Sequence, residues 1–221
     1  MTASTEQVTR PVTIALVGTH STGKTTFVNA LADRLRRNRV DVAVVNDLGA
    51  NALDLGLPIL WNHTWTSTMW IITRGISLEL EAWMTADVLL VDRGIPDALG
   101  YYEAALAYRD ALPEPGRLEQ LDRLVTDHAQ HYDLILRTVL DSDIPLGVGK
   151  PRDTDMRFRS LADRYVQSVL NRLGILHEVL PSDGHDRALV EATALIEGRL
   201  PGGEEFSWPD SAEVADEREV G

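Results

Sequence analysis

From Val12 onward, the apolar positions alternate between two rhythms. Val12-Thr-Ile-Ala-Leu-Val17 is a short, nearly continuous apolar run rich in β-branched residues. Such runs suit strands buried on both faces of a parallel sheet. Similar runs recur at Asp41–Asn46, Val88–Val91, Leu134–Val139 and Ile175–Leu180. Between them the spacing turns helical. Phe27, Leu31 and Leu35 predict a helix over about 24–37, with Arg34, Arg36 and Arg37 in its last turns, where cations are favoured. Trp65, Met69, Ile72, Ile76, Leu80 and Trp83 predict a helix over about 64–84. Pro96 opens another, running through Leu99, Tyr102 and Leu106. Further helices are predicted over about 117–131, 156–173 and 186–198. Asn51–Asn62, broken by Gly56 and Pro58, reads as irregular, and so does the Pro/Gly-containing stretch from Asp141 to Asp155.

Strands alternating with helices imply βαβ units, right-handed crossovers and an α/β fold with one parallel sheet. Ligands of such sheets bind beyond the carboxyl ends of the strands. That geometry draws together four distant segments: the loop after strand one, Asp47 after strand two, Asp92-Arg93 after strand three and the arginine-rich stretch after strand four. The chain divides into a polar leader (1–10), one domain (11–200) and a tail (201–221) read as disordered.

The segment after strand one carries the strongest chemical signal. Gly18-Thr19-His20-Ser21-Thr22-Gly23-Lys24-Thr25 fits the phosphate-loop pattern G-x-x-x-x-G-K-[ST]. Two glycines let the backbone wrap a phosphate without Cβ clashes. Successive N–H groups then face the anion, and the following helix adds its positive N-terminus. Gly18, His20, Ser21, Thr22, Gly23, Lys24, Thr25 and Thr26 are the nucleotide-binding candidates. Lys24 is placed to reach the β- and γ-phosphates, and the Thr25 hydroxyl to bind Mg²⁺. A buried strand before the motif and a helix after it separate it from an ordinary Gly-rich turn.

Asp92 ends strand three and reads as a holder of Mg²⁺ or its water, or else as an N-cap of the next helix. Arg93 beside it is suited to gripping a phosphate or substrate oxygen. Asp47 reads as the acceptor of a substrate hydroxyl proton or as a turn cap. Lys150, Arg152, Arg157 and Arg159 form a basic patch, read as a lid whose arginines are solvated until phosphate charge draws them in; the other reading is a salt-bridged helix start. Trp61, Trp65, Trp70 and Trp83 lie between strands two and three, as a stacking platform or as core. Arg74 and Glu79 on that segment read as pocket residues or as surface ion pairs, and His63 has no metal-ligand spacing.

Composition narrows the field. The 221 residues are 44% hydrophobic and 25% charged, an ordinary globular balance. There are no cysteines, which excludes disulfides and thiolate metal sites and suits a cytoplasmic location. The net charge is −13, and the tail alone holds seven acids against one base. An acidic chain without a basic stripe is a poor binder of long nucleic acids. No apolar run is long enough to span a membrane.

Val17-Gly-Thr-His-Ser-Thr-Gly-Lys-Thr-Thr26, Val91-Asp-Arg-Gly-Ile-Pro-Asp-Ala-Leu-Gly-Tyr101 and Arg152-Asp-Thr-Asp-Met-Arg-Phe-Arg159 together resemble the P-loop small-molecule kinases. Within them the chain looks like the AAA-type ATPases related to ribosylnicotinamide kinases, beside nucleoside and thymidylate kinases. The resemblance covers about residues 12–180. It implies a three-layer sandwich with a five-stranded parallel sheet of order 2-3-1-4-5, ATP and Mg²⁺ as cofactors, and an arginine-bearing lid. Relatives often carry a Glu with a nearby Arg after strand two. Here Asn46-Asp47-Leu48-Gly49 stands there, which leaves the general base open.

The expectation is an ATP-dependent kinase of a small metabolite, a nucleoside, nucleotide or related compound, with a homodimer left open. One rival is a nucleotide-operated switch; the guanine-reading [NT]-K-x-D is absent, since neither Lys24 nor Lys150 sits in one. The other rival is a silent nucleotide-binding subunit, against which an intact Gly23-Lys24-Thr25 stands.

Overall fold

The computed structural model describes residues 8–141 and 155–200. Five strands, β1 (Val12–Val17), β2 (Val42–Val45), β3 (Val88–Asp92), β4 (Leu134–Thr138) and β5 (Glu178–Leu180), form one parallel sheet in the order β2-β3-β1-β4-β5. β1 is central, and all six of its residues are buried. That is why its sequence is apolar without a polar face. Its register pairs Leu16 with Asp92 and Val17 with Arg137, so the ends of β1, β3 and β4 come together.

Seven helices cover the sheet among the described residues: α1 (Lys24–Arg37), α2 (Gly49–Asp54), α3 (Trp65–Ala82), α4 (Pro96–Tyr108), α5 (Arg117–Ala129), α6 (Met156–Arg172) and α7 (His185–Glu197). The period-2 alternation of β1 sorts its side chains into two cores. Ile14 and Leu16 pack with Phe27, Leu31 and Leu35 of α1 and Ile196 of α7. Ala15 and Val17 pack on the other face with Ile72, Tyr101, Phe158 and Val166 from α3, α4 and α6. The α4–α6 contact is unusually close: a Cβ at Gly100 would lie 2.7 Å from the Val166 Cα. A side chain larger than hydrogen there would push α6, and with it Arg159, away from the sheet.

Two sequence expectations change. The stretch from Asn51 to Asn62 is not wholly irregular, because α2 occupies Gly49–Asp54 and a 3₁₀ turn occupies Leu60–Asn62. The Asp47 carboxylate accepts from the Gly49 amide at 2.8 Å and starts α2, while Ala52 is fully buried. The helix is too short to show a period. β5 begins at Glu178 and not at Ile175, and Leu176 is 91% exposed. The 1–7 part of the leader, the 142–154 part of the expected lid with Lys150 and Arg152, and the tail lie outside the described residues. Among the described residues, no helix is long and apolar enough to cross a membrane.

Candidate active site

The loop between β1 and α1 adopts the backbone that its glycines allow. Gly18 (φ +133°) and Gly23 (φ +87°) are in conformations that side chains resist. A Cβ at Gly18 would lie 2.4 Å from the Thr138 Oγ1, so β4 presses directly on the loop. That hydroxyl donates to the Val17 carbonyl at 3.2 Å and lies 2.6 Å from the Thr22 hydroxyl. Lys24 is buried and folds over the loop. Its Nζ donates to the Gly18 carbonyl at 2.9 Å, to the Thr19 carbonyl and to the Thr22 hydroxyl at 3.2 Å. Burial, with help from the Arg93 charge, lowers the Lys24 pKa to about 7 against the pull of Asp97, Asp92 and Asp47.

Asp92 stands at the end of β3, and its carboxylate accepts from the Thr25 hydroxyl at 2.6 Å. It does not cap α4, whose N-cap is Ile95. The pair supplies hard oxygen donors of the kind Mg²⁺ prefers. Among the described residues, no group of three or more His, Asp or Glu side chains is arranged to hold a metal. An ion at Thr25 and Asp92 would therefore take its other ligands from water and phosphate, the usual situation for Mg²⁺.

Arg93 is the hub of the site. Its backbone is strained (φ +86°), a cost of about 1–3 kcal/mol that the side chain's contacts offset. Nε donates to Asp47 at 2.9 Å, and Nη1 donates to Asp97 at 3.1 Å. The guanidinium also lies 5.0 Å from the Tyr101 ring centroid. Burial works to lower the Arg93 pKa, but Tyr101, Asp47 and Asp97 outweigh it and hold the group charged. Burial likewise opposes ionisation of Asp47, yet Arg93, the Gly49 amide and Lys24 leave its pKa below the usual carboxylate range. Asp47 is therefore both turn cap and ion-pair partner. For Asp97, burial wins over Arg93 and Lys24 and raises the carboxyl to about 6.

Asp97 and Tyr101 were not singled out in the sequence, although both join the machinery. The Gly18 amide donates to Asp97 at 2.7 Å, and the His20 amide donates to the Tyr101 hydroxyl at 2.9 Å. The His20 N–H is thus engaged by α4. The signal was present, since 93, 97 and 101 follow a four-residue helical step from the Asp-Arg pair. Arg137 was also missed. It is buried in β4, its Nε and Nη1 make no hydrogen bond, and Nη1 lies 3.9 Å from Asp163. A lone charge inside an apolar strand run was its only sign.

The basic patch splits. Arg159 was expected to be solvated, but it is only 1% exposed. Nε donates to the His20 carbonyl at 3.3 Å and Nη2 to the Ser21 carbonyl at 3.1 Å, so it clamps the loop from α6. The reason is packing: Phe158 and Arg159 both lie on the α6 face that enters the core. Arg157 is exposed and lies 4.9 Å from the Tyr108 ring centroid.

Beside the loop opens a cavity of about 490 Å³. The loop and Asp92 form one end. Asp47, Leu48, Leu60, His63, Gly75, Glu79, Arg93, Ile95 and Asp97 are among its other walls. Among the described residues, no tryptophan lines it. Trp65 packs under Arg117 at 4.7 Å, and Trp83 meets His131 edge-on. Arg74 pairs with Glu81 at the surface, whereas Glu79 is buried and accepts from Tyr132 at 3.0 Å with His128 at 2.7 Å.

Known proteins share this architecture. The structure of the NadR protein in complex with NAD and AMP-PNP aligns with a TM-score of 0.60 at 18% identity, covering 90% of this chain and 52% of that one. The NadR protein in complex with NR aligns with a TM-score of 0.56 at 16% identity, covering 86% and 51%. Thymidylate kinase from Ehrlichia chaffeensis aligns with a TM-score of 0.57 at 14% identity, covering 84% of this chain and all of that one. The chain spans about half the length of the two NadR chains. At these identities the likeness is one of fold, and the fold is that of the P-loop kinases. No curated protein matches the sequence. The AAA_28 family, described as AAA domain, matches residues 13–187. The phosphate loop, the Asp92-Arg93 strand end and the helix bearing Arg159 all fall within that span, and the chain belongs to this AAA domain family.

Proposed function

We propose that this chain is an ATP-dependent phosphotransferase acting on a small metabolite, a nucleoside, nucleotide or related compound. The observation that carries the reading is the junction of loop and cavity. Lys24, the Thr25–Asp92 pair and Arg93 all line the place where the loop opens into a partly open pocket with apolar walls and a few charged groups. The cavity of about 490 Å³ includes the loop end but continues to Leu60, His63, Gly75 and Glu79, a wall that a site admitting only water beside the nucleotide does not need.

In this reading Lys24 and the loop amides other than those of Gly18 and His20 would hold the ATP phosphates, and Thr25 and Asp92 would hold Mg²⁺, which would supply positive charge beside the transferred phosphate. The acceptor hydroxyl oxygen attacks the γ-phosphorus, the bond to the β-phosphate oxygen breaks, and ADP leaves. The hydroxyl proton passes to a carboxylate at the junction, Asp47. A loose transition state asks little of a base, so a carboxylate of lowered pKa suffices. Arg159, held between α6 and the loop, keeps the loop closed around the phosphates. Arg152 and Arg157 stay candidates for the lid.

The test is ADP formation from MgATP across nucleosides, nucleotides and pyridine ribosides, with the Lys24→Ala variant as blank. Turnover above the no-acceptor rate with at least one compound is expected. A flat response across the panel would favour a regulatory ATPase or a partner subunit.

A further inference from the structure

The turn that follows Arg93 has two anchors. On β1, the Leu16 carbonyl accepts from the Gly94 amide at 2.9 Å. A Cβ at Gly94 would lie 3.2 Å from the Ala15 Cβ and from the Val17 Cγ1, so the turn lies close against the strand. The second anchor comes from the turn between α5 and β4, where the Tyr132 hydroxyl accepts from the Ile95 amide at 3.3 Å. A buried amide without a partner is costly, so this bond has a job in the fold. Just before the two anchors, Arg93 keeps its φ of +86°. Such a conformation persists only where its surroundings over-determine it.

Tyr132 does not stand alone. Its hydroxyl donates to Glu79 Oε1 at 3.0 Å, and His128 Nε2 lies 2.7 Å from Glu79 Oε2. Carboxylate oxygens only accept, so the hydroxyl proton is directed at one oxygen and a His128 N–H at the other. The hydroxyl's lone pairs are then left for the Ile95 amide, and the direction of the whole series of bonds is set. Burial first, and the Glu79 charge after it, pushes the Tyr132 pKa well above the ordinary tyrosine range, so the hydroxyl keeps its proton. All three side chains are buried. They come from α3, α5 and the turn after α5, and they meet at the start of α4. Apolar side chains of similar shape often hold such elements together as well or better. Packing therefore gives no reason for a carboxylate there, whereas aiming the hydroxyl at Ile95 does.

We propose that Tyr132 is a positioning residue for Arg93, with Glu79 and His128 aiming its hydroxyl. The bond to Ile95 fixes the turn, and the turn directs the Arg93 guanidinium between Asp47 at 2.9 Å and Asp97 at 3.1 Å. With that bond gone, the strained backbone is free to relax and to carry the guanidinium off Asp47. Lys24 and Thr25, on α1, keep their places. This inference rests on the kinase reading, in which Arg93 and Asp47 stand at the transfer.

The test is Tyr132→Phe in the full chain, which removes one oxygen and keeps the ring. ADP formation from MgATP is followed with the best acceptor of the panel above, and AMP-PNP binding is followed by calorimetry. Turnover is expected to fall about tenfold while AMP-PNP affinity stays within about twofold. Glu79→Leu, which leaves the hydroxyl without its acceptor, is expected to give a similar loss. The double variant should lose no more than either single change, because the residues act as a unit. Glu79→Gln, which restores an acceptor oxygen, should recover most of the rate. If Glu79→Leu does not fold, Tyr132→Phe and Glu79→Gln carry the test. A Tyr132→Phe chain that melts earlier in urea but turns over at the wild-type rate per folded molecule would overturn this inference and leave the kinase reading intact. Losses that add in the double variant would overturn the aiming role of Glu79. A wild-type chain that hydrolyses ATP at one rate with every acceptor and with none overturns the kinase reading and this inference with it.

Discussion

Around Gly18–Thr26 the polar work is done by backbone. Amides and carbonyls of consecutive residues are bonded to Lys24, Arg159, Asp97 and Tyr101, and the side chains there mostly hold the loop in shape. Across the cavity the order is reversed. Side chains from separate elements (Asp47, His63, Glu79 and Arg93) supply the polar points, and the backbone there only positions them. A backbone cradle recognises a common anion and needs little variation. A side-chain pocket is free to change its ligand by substitution. On the proposed function, the difference puts nucleotide binding at the loop and selectivity in the cavity.

Changes at the loop should cut deepest. Lys24→Ala is expected to lower kcat/KM for ATP by roughly 10²-fold or more, because charge on the transferred phosphate loses its nearest cation. The fold should persist, since Lys24 belongs to neither of the two apolar cores that hold the helices on the sheet. Steady-state ADP release checks the first expectation and a urea melt the second. Near-normal turnover would dissolve the distinction between the two regions.

Arg159→Ala comes next. It leaves the His20 and Ser21 carbonyls without their guanidinium and opens a gap under α6. A loss of about 2 kcal/mol in unfolding free energy is expected, together with a raised KM for ATP. Arg157→Ala, which removes only an exposed contact with Tyr108, should cost about 1 kcal/mol or less. If the two variants melt alike, the clamp on the loop is not where the geometry puts it.

Asp92→Asn is expected to shift the Mg²⁺ dependence upward by about tenfold with weaker loss of ATP binding, since it removes one negative charge from the metal's side of the loop. An unchanged Mg²⁺ titration would leave the Thr25–Asp92 contact as a purely structural bond.

The last test sharpens the cavity side. The His63 pKa falls from 6.5 to about 4 on folding. Between those values the unfolded chain binds more protons than the folded one, so stability falls as pH drops from 6.5 toward 4. This group alone adds a slope approaching ~1.4 kcal/mol per pH unit. His63→Phe should flatten that limb of the curve in urea melts taken from pH 4 to 7. An identical slope in the variant would mean that the imidazole is not buried as a neutral ring.

The chain's own order decided whatever depends on neighbours in sequence. The parallel sheet followed from apolar runs separated by helical spacing, because a strand buried on both faces has no polar positions to offer. The phosphate loop followed because its eight residues are consecutive and its glycines have a steric reason to be there. The Thr25–Asp92 pair was within reach of the same logic, since Asp92 ends β3, Thr25 opens α1 after the loop that follows β1, and a parallel sheet gathers those two strand ends. Only the tertiary structure decided the rest. Arg157 and Arg159 are two residues apart, yet one faces solvent and the other the core, because α6 turns its side chains by 100° per residue against a sheet. Arg93, Asp97 and Tyr101 share one face of the turn into α4, but their common target is a loop some eighty residues earlier. Glu79 read equally as a pocket residue or a surface ion pair, and His63 only as a residue without metal-ligand spacing. Packing decided Glu79 for the pocket, because α3 turns Gly75 and Glu79 toward the cavity and its tryptophans elsewhere, and His63 lines the same cavity from the turn before α3. A cavity has no sequence of its own, and its chemistry is legible only once the elements around it have been packed.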